Sequence, residues 1–477
     1  MVDTYATARS MLDDLRSKQV SARELLDAHI ARNDEIEARI NAVNATDIPR
    51  ALKDAATIDA ARAKGAELGP LAGLPMTIKD GFDVENMPAI AGNPALAGRA
   101  KDCADAALVA ATRKAGAVIW GKTNVPFMLG DIQSYNAISG TTNNPYDVAR
   151  TPGGSSGGAA AALACGVTPL EIGSDIGGSL RHPANFCGVT ALKTTWGALD
   201  GRGHIPPMPD GYYEADLGVY GPMARNTDDL KLLWSVLKGT KEQARRDVKD
   251  ARVAIWDEEK SWPLAREVKD GVARAGAALA AAGAQVEHAK PDIDGVTLMD
   301  FYHTLLTPIV AYDMPQGMID AFAGLREADR KIIDQGGPDA PMASFRYYSS
   351  APHREIIAAT IKRQAHKDIL AAFFARYDVI VMPISMVPAF PHQQEPSFPE
   401  RLLEVDGVAV PYPWILNWIS PATALHAPAL AVPAGRTAAG LPVGVQIVGP
   451  WHGEDRLFDF AAAVEEGCGG FAPPPGV

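Results

Sequence analysis

Between residues 151 and 184 the chain reads TPGGSSGGAAAALACGVTPLEIGSDIGGSLRHPA, and no other stretch restricts its folding as much. Two glycine-rich turns, GGSSGG and DIGGS, enclose an Ala-rich helix closed by glycine and the apolar run VTPLEIGSD. Glycine costs backbone entropy wherever it is ordered, so its concentration before Ser155 and Ser179 calls for a reason. Either these are ordinary tight turns, or the main chain is bent so that consecutive N–H groups point into one concavity.

The rest of the chain alternates helix and strand. The first forty residues read as two helices, the second opened by the capping box SARE at 21–24. LAGLPMTIKD (71–80) is a short apolar run bounded by Gly and Pro, as in a buried strand. AALVAATRKAGAVIWGKTN (106–124) reads as helix, glycine stop, strand. ARVAIWD (251–257), a helix near 266–283 and AQVEHAK (284–290) repeat the alternation, and YDVIVMPIS (377–385) and LPVGVQIVGP (441–450) are further buried strands. The pattern predicts an α/β fold with a mostly parallel or mixed sheet. GRGHIPPMPDGYYEA, in the 200–215 stretch, is a loop of the kind that borders sites. No repeat or linker divides the chain. The expectation is one catalytic domain over 1–477, with a helical layer (1–65), a core carrying the glycine–serine motifs (66–230) and a variable C-terminal region (231–477).

Composition narrows the function class. Apolar content of 47% and charged content of 21% suit a soluble globular protein. The net charge of −12 comes without a basic stripe, which argues against a nucleic-acid partner. Cys103, Cys165, Cys187 and Cys468 form no C-x-x-C pair and no zinc-like spacing, which fits a reduced cytoplasm. The N-terminus lacks the basic start and apolar core of a signal peptide, and no apolar stretch suits a bilayer.

Three places can carry chemistry. Gly153 to Gly157 formally matches the G-x-S-x-G nucleophile elbow, with Ser155 as nucleophile, but TNNPYDVAR before it is not a strand. A phosphate loop would need Lys-Ser/Thr after the glycines, and there is none. At the second turn, a nest of amides beside Ser179 is what acyl transfer requires: a hydroxyl to attack and donors for the oxyanion. The alternative there is a structural serine in a turn. Lys79, ending the apolar run TIK, is either a surface ion pair with Asp80 or Asp83, or a desolvated lysine whose neutral amine takes up a proton. Of the ten histidines only His182 and His204 lie near the serine motifs.

Taken together, GGSSGG followed by GSDIGGSLRHPANFCGV, with the serines 24 positions apart, resembles the defining block of the amidase signature family. LAGLPMTIKD resembles the segment that carries that family's catalytic lysine. AGAVIWGKTNVP, NNPYD, GPMAR, PALAVPAG and GLPVGVQIVGP follow in the family's order, so the likeness runs from about residue 5 to 465. The resemblance implies an α/β fold in which a large mixed, mostly parallel twisted sheet is covered by helices on both faces. It also implies an amidase that cleaves small amides through a Ser-Ser-Lys triad and an acyl-enzyme, without metal or organic cofactor. By carry-over Ser179 is the nucleophile, Ser155 the bridging serine with a cis peptide, and Lys79 the base. The N–H groups of Ile176, Gly177, Gly178 and Ser179 would form the oxyanion hole. Ser156, Ser174, Asp175 and Arg181 would orient the relay and the nucleophile loop.

Two departures from the family pattern bear on loop shape and pocket: Thr194 in ALKTTWG, where proline is common, and His182, where many members are apolar. VAVPYPWILNWISPATALHAP (408–428) is rich in aromatics, so Tyr412, Trp414 and Trp418, with Met128, Gly130 and Asp131, are either a substrate pocket or plain core. The expected partner is a small amide, anilide, ester or carbamate, with no nucleic acid and no membrane, in a monomer or homodimer. The alternative is a glutaminase component of a tRNA-dependent amidotransferase, a role whose usual central region this chain resembles poorly beyond residue 200.

Overall fold

The computed structural model describes residues 2–100, 102–206 and 213–476. Part of the 200–215 loop therefore lies outside the described residues. Three strands, β1 (Val43–Thr46), β2 (Pro75–Lys79) and β3 (Val118–Thr123), form a small sheet in the order β1-β3-β2. A larger sheet takes eight strands: β4 (Leu170–Asp175), β5 (Thr190–Lys193), β6 (Val219–Ala224), β7 (Arg252–Ile255), β8 (Gln285–His288), β9 (Val379–Pro383), β10 (Ala429–Arg436) and β11 (Pro442–Val448). Their order is β8-β7-β9-β11-β10-β5-β6-β4. The strands read from the sequence are all present, and so are the two N-terminal helices, Ala8–Arg16 and Ala22–Ile40. The Ser21/Glu24 capping box forms in both directions.

The sheet is mixed, but it is not mostly parallel. Parallel pairing is confined to β8-β7-β9, and every neighbouring pair from β9 to β4 is antiparallel. Topology explains the difference. A short turn joins β10 to β11, and a hairpin can only be antiparallel. β4 and β5 do run the same way across their connecting helix, Arg181–Cys187, but β6 is inserted between them.

Helices cover both faces. Adjacent strand residues point to opposite sides, and β11 displays this directly. Val443 faces Gly271 of the helix Arg266–Ala281, while Gly444 faces Asn185 of the helix Arg181–Cys187. The Ala-rich helix Gly157–Ala164 is buried at every residue, as a helix without a polar face has to be. Gly158 admits its close neighbour, because a Cβ there would sit 2.4 Å from the Asn124 backbone nitrogen.

Four helices span Gly295–Val310, Gln316–Gln335, Ala340–Ser349 and His353–Phe374, a region for which the sequence had indicated no elements. Among the described residues no helix is long and apolar enough to cross a membrane, and all four cysteines are free.

Candidate active site

Strand ends bring the chemistry together. β2 ends at Lys79, and β4, an edge strand of the large sheet, ends at Ser174 and Asp175. The buried Glu171 of β4 fixes this meeting of the two sheets. It accepts hydrogen bonds from the Thr77 hydroxyl (2.7 Å) and the Thr123 hydroxyl (3.1 Å). Burial raises its pKa to about 7. Ser155 lies in the turn before the helix Gly157–Ala164, after a cis Gly154–Ser155 peptide. Ser179 lies in the turn before the helix Arg181–Cys187.

The Lys79 amine is fully buried and meets three oxygens. Its Nζ is 2.7 Å from Ser155 Oγ, 2.9 Å from Ser174 Oγ and 3.3 Å from the Ser174 carbonyl. Burial brings its pKa down from 10.5 to about 7, against the opposing pull of Asp175 and Glu171. The surface ion-pair reading of Lys79 is thus excluded. Asp80 is instead 2.6 Å from Lys122, and Asp83 pairs with Arg99.

Asp175 braces the loop that carries Ser179. Its carboxylate accepts the N–H groups of Gly178 (2.9 Å) and Leu180 (3.1 Å) and is bridged by the Arg181 guanidinium at 2.9 and 3.0 Å. Burial pushes the Asp175 carboxyl up, but Arg181 holds it well below the usual carboxylate range. Arg181 also donates to the Ile419 carbonyl, Gln446 and Thr423. Removing one partner of such a buried pair strands the other charge. Arg181→Met is therefore expected to cost about 3–5 kcal/mol in urea unfolding.

The bracing changes which N–H groups are left for the oxyanion role that the sequence implied. The Gly178 N–H, expected among them, is directed at Asp175 instead. Among the described residues, the N–H groups of Ile176, Gly177 and Ser179 donate to no protein acceptor. Gly178 serves the loop through its φ of +90° and through space, since a Cβ there would sit 2.4 Å from the His182 ring. His182 is fully buried and burial lowers its pKa to about 3, so it packs as a neutral ring where an apolar residue would serve.

Ser156 donates its N–H to the Ser179 carbonyl (3.2 Å), linking the two glycine-rich turns. No hydrogen bond joins the Ser155 and Ser179 hydroxyls among the described residues. Ser179 is 5% exposed, against 1% for Ser155 and 0% for Lys79, so Ser179 is the most accessible of the three.

The aromatic stretch meets this loop through other residues than those expected. Trp418 is fully buried, donates to the Pro263 carbonyl and packs edge-on against Trp262. Tyr412 is fully buried and donates to Asp131, whose other oxygen takes Arg401 and Tyr135. Both belong to the core, and Asp131 is committed to that network. Trp414 is 42% exposed and Gly130 is exposed, while Met128 is half-buried. Leu416 and Ile419 instead approach the Cβ positions of Gly177 and Gly178, at 3.4 and 3.3 Å, and Tyr302 donates to the Ile176 carbonyl (3.2 Å). The sequence reading missed Leu416, Ile419 and Tyr302; Tyr302 lies 126 positions from Ile176, beyond any local signal. Among the described residues no group of three or more His, Cys, Asp or Glu is arranged to hold a metal ion.

Known proteins share this chain's sequence pattern and fold over nearly its whole length. A glutamyl-tRNA(Gln) amidotransferase subunit from Moorella thermoacetica is 31% identical over 97% of this chain and 96% of that protein. The corresponding subunit from Salinispora arenicola is 31% identical over 99% of this chain and 100% of its own length. The likeness to these subunits therefore continues well past residue 200, contrary to the sequence reading. A solved amidase structure superposes with a TM-score of 0.77 at 25% identity, covering 97% of this chain and 99% of the other. The amidase family model matches residues 24–458, and the chain accordingly belongs to the amidase family, whose enzymes act on C–N bonds.

Proposed function

We propose that the protein is an amidase that cleaves small amides through an acyl-enzyme on Ser179, with Ser155 relaying a proton to neutral Lys79. The observation that carries this reading is the buried amine 2.7 Å from the Ser155 hydroxyl, with its pKa brought down to about 7. As Ser179 Oγ attacks the amide carbon, its proton passes to Ser155 and that of Ser155 to Lys79 Nζ. The carbonyl oxygen becomes an oxyanion facing the unengaged N–H groups of Ile176, Gly177 and Ser179. The ammonium returns the proton along the same path to the leaving nitrogen, the C–N bond breaks, and water then hydrolyses the ester. The test is hydrolysis of a panel of amides, anilides, esters and carbamates by the wild type, with Ser179→Ala as control. Turnover that survives in Ser179→Ala, or none with any panel member, defeats the reading.

Leu416 and Ile419 beside the loop favour an apolar acyl or aryl group over a small amide. Burying an aromatic ring contributes roughly 1.5–3 kcal/mol, so kcat/KM for a 4-nitroanilide is expected to exceed that for acetamide by about 10- to 100-fold. A preference for acetamide would contradict this.

A second reading has direct support from the amidotransferase subunits that are 31% identical over nearly the whole chain. In that case glutamine is the amide, and the ammonia passes to a partner. Glutamine cleaved faster than any anilide, and faster still with a partner protein present, would favour it.

A further inference from the structure

We propose that His204 is a positioning residue of this relay: by accepting a hydrogen bond from the Ser174 hydroxyl, it leaves the lone pair of Lys79 directed at Ser155. The inference rests on the amidase reading and concerns the proton order within the same site. A neutral amine has two N–H donors and one lone pair. The Ser174 carbonyl can only accept, so it takes one N–H. The second N–H and the lone pair are left for two hydroxyls, Ser155 and Ser174, and each of these can donate or accept. Only one order is productive: Ser155 donates to nitrogen, and nitrogen donates to Ser174. In the opposite order Ser174 occupies the lone pair, and no base remains for Ser155.

His204 decides between them. Its Nε2 lies 2.9 Å from Ser174 Oγ and its Nδ1 3.1 Å from the Pro206 carbonyl. That carbonyl only accepts, so the single proton of the neutral ring sits on Nδ1 and Nε2 is bare. Burial, and then the charge of Lys79, lower the His204 pKa to about 3, so the ring stays neutral at working pH. The Ser174 hydroxyl therefore donates to Nε2 and can only accept from Lys79. When the amine takes its proton, three N–H groups find three acceptors already in place, with no side chain having to turn.

The ring is fixed as this task requires. Phe82 and Tyr220 pack edge-on at 4.8 and 5.0 Å, and the Ile205 N–H donates to the Gly81 carbonyl at 2.7 Å. Gly81 makes the approach possible, since a Cβ there would lie 3.0 Å from Nε2.

The test compares His204→Phe, His204→Gln and His204→Asn with the wild type on the best substrate of the panel, with and without Ser174→Ala. His204→Phe is expected to lower kcat by about tenfold with KM little changed, the value of one hydrogen bond. Glutamine, whose amide oxygen reaches the Nε2 position, restores kcat to within about threefold of wild type; asparagine, too short, does not. In the Ser174→Ala background His204→Phe has no further effect, because the hydroxyl it orients is gone. Equal losses in both backgrounds, or glutamine no better than asparagine, would overturn the proposal. Should the phenylalanine variant not fold, the glutamine–asparagine pair decides. Undiminished activity in Lys79→Met would instead defeat the amidase mechanism itself, whatever His204 does.

Discussion

Ser179→Ala is expected to lower kcat/KM by about 10⁶-fold while leaving the fold intact, the loss seen when one nucleophile of an acyl-transfer relay is removed. The variant keeps the donors of Ile176 and Gly177, the Asp175–Arg181 brace and the Lys79 amine, so only the attacking oxygen is missing. What remains is stabilisation of the oxyanion without a covalent route, and that is a small part of the whole. Initial rates on the preferred anilide, with urea unfolding of the same preparation, check both halves of the expectation. A loss of activity matched by unfolding would point to the loop's structure instead.

Lys79→Met is expected to cost about 10²–10⁴-fold in kcat, the range of a general base. Stability should hold or rise, because the wild type carries the cost of burying an amine whose pKa has come down from 10.5 to about 7. Lys79→Arg, which keeps the charge, should be equally inactive, since guanidinium does not deprotonate and cannot take up a proton. On the proposed mechanism the neutral amine is the active form in the wild type, and its fraction grows as pH rises through about 7. Below that, kcat/KM should fall about tenfold per pH unit. The groups around the amine set this position: Asp175 and Glu171 raise the pKa while burial lowers it, and neutral His204 adds no charge. A pH–rate profile of the wild type beside Lys79→Met checks this. The acid limb should be absent from the variant, and an unchanged limb would assign it to another group.

Much of the site was legible in the sequence because its constraints are local. Glycines crowd the two turns where main chain meets main chain, as at Gly158, or where φ turns positive, as at Gly178. Lys79 ends an apolar run, so it was legible as a lysine at the mouth of a buried strand. Strand direction was not legible, since it depends on β6 entering between β4 and β5, a long-range choice that periodicity does not encode. Of the helices between 295 and 374, Gln316–Gln335 buries only Asp329 and so carries little core signal, whereas Gly295–Val310 buries Leu298, Phe301, Tyr302 and Leu305, an apolar pattern that the sequence reading missed. Aromatic content left pocket and core undecided. Trp418 and Tyr412 are core residues, while Leu416 and Ile419, from the same stretch, touch the glycine loop. The Gly178 N–H was assigned by position, and only the arrangement in space shows that Asp175 already claims it.

The central claim, that Ser179 carries the acyl group and Lys79 drives its formation, is tested most directly by rapid quench with a 4-nitrophenyl ester and mass spectrometry of the digested protein. The account predicts one acyl group on the peptide containing Ser179, formed quickly by the wild type, far more slowly by Lys79→Met and not at all by Ser179→Ala. Acylation of Ser155 or a cysteine during turnover, or steady turnover with Ser179 unmodified, would contradict it.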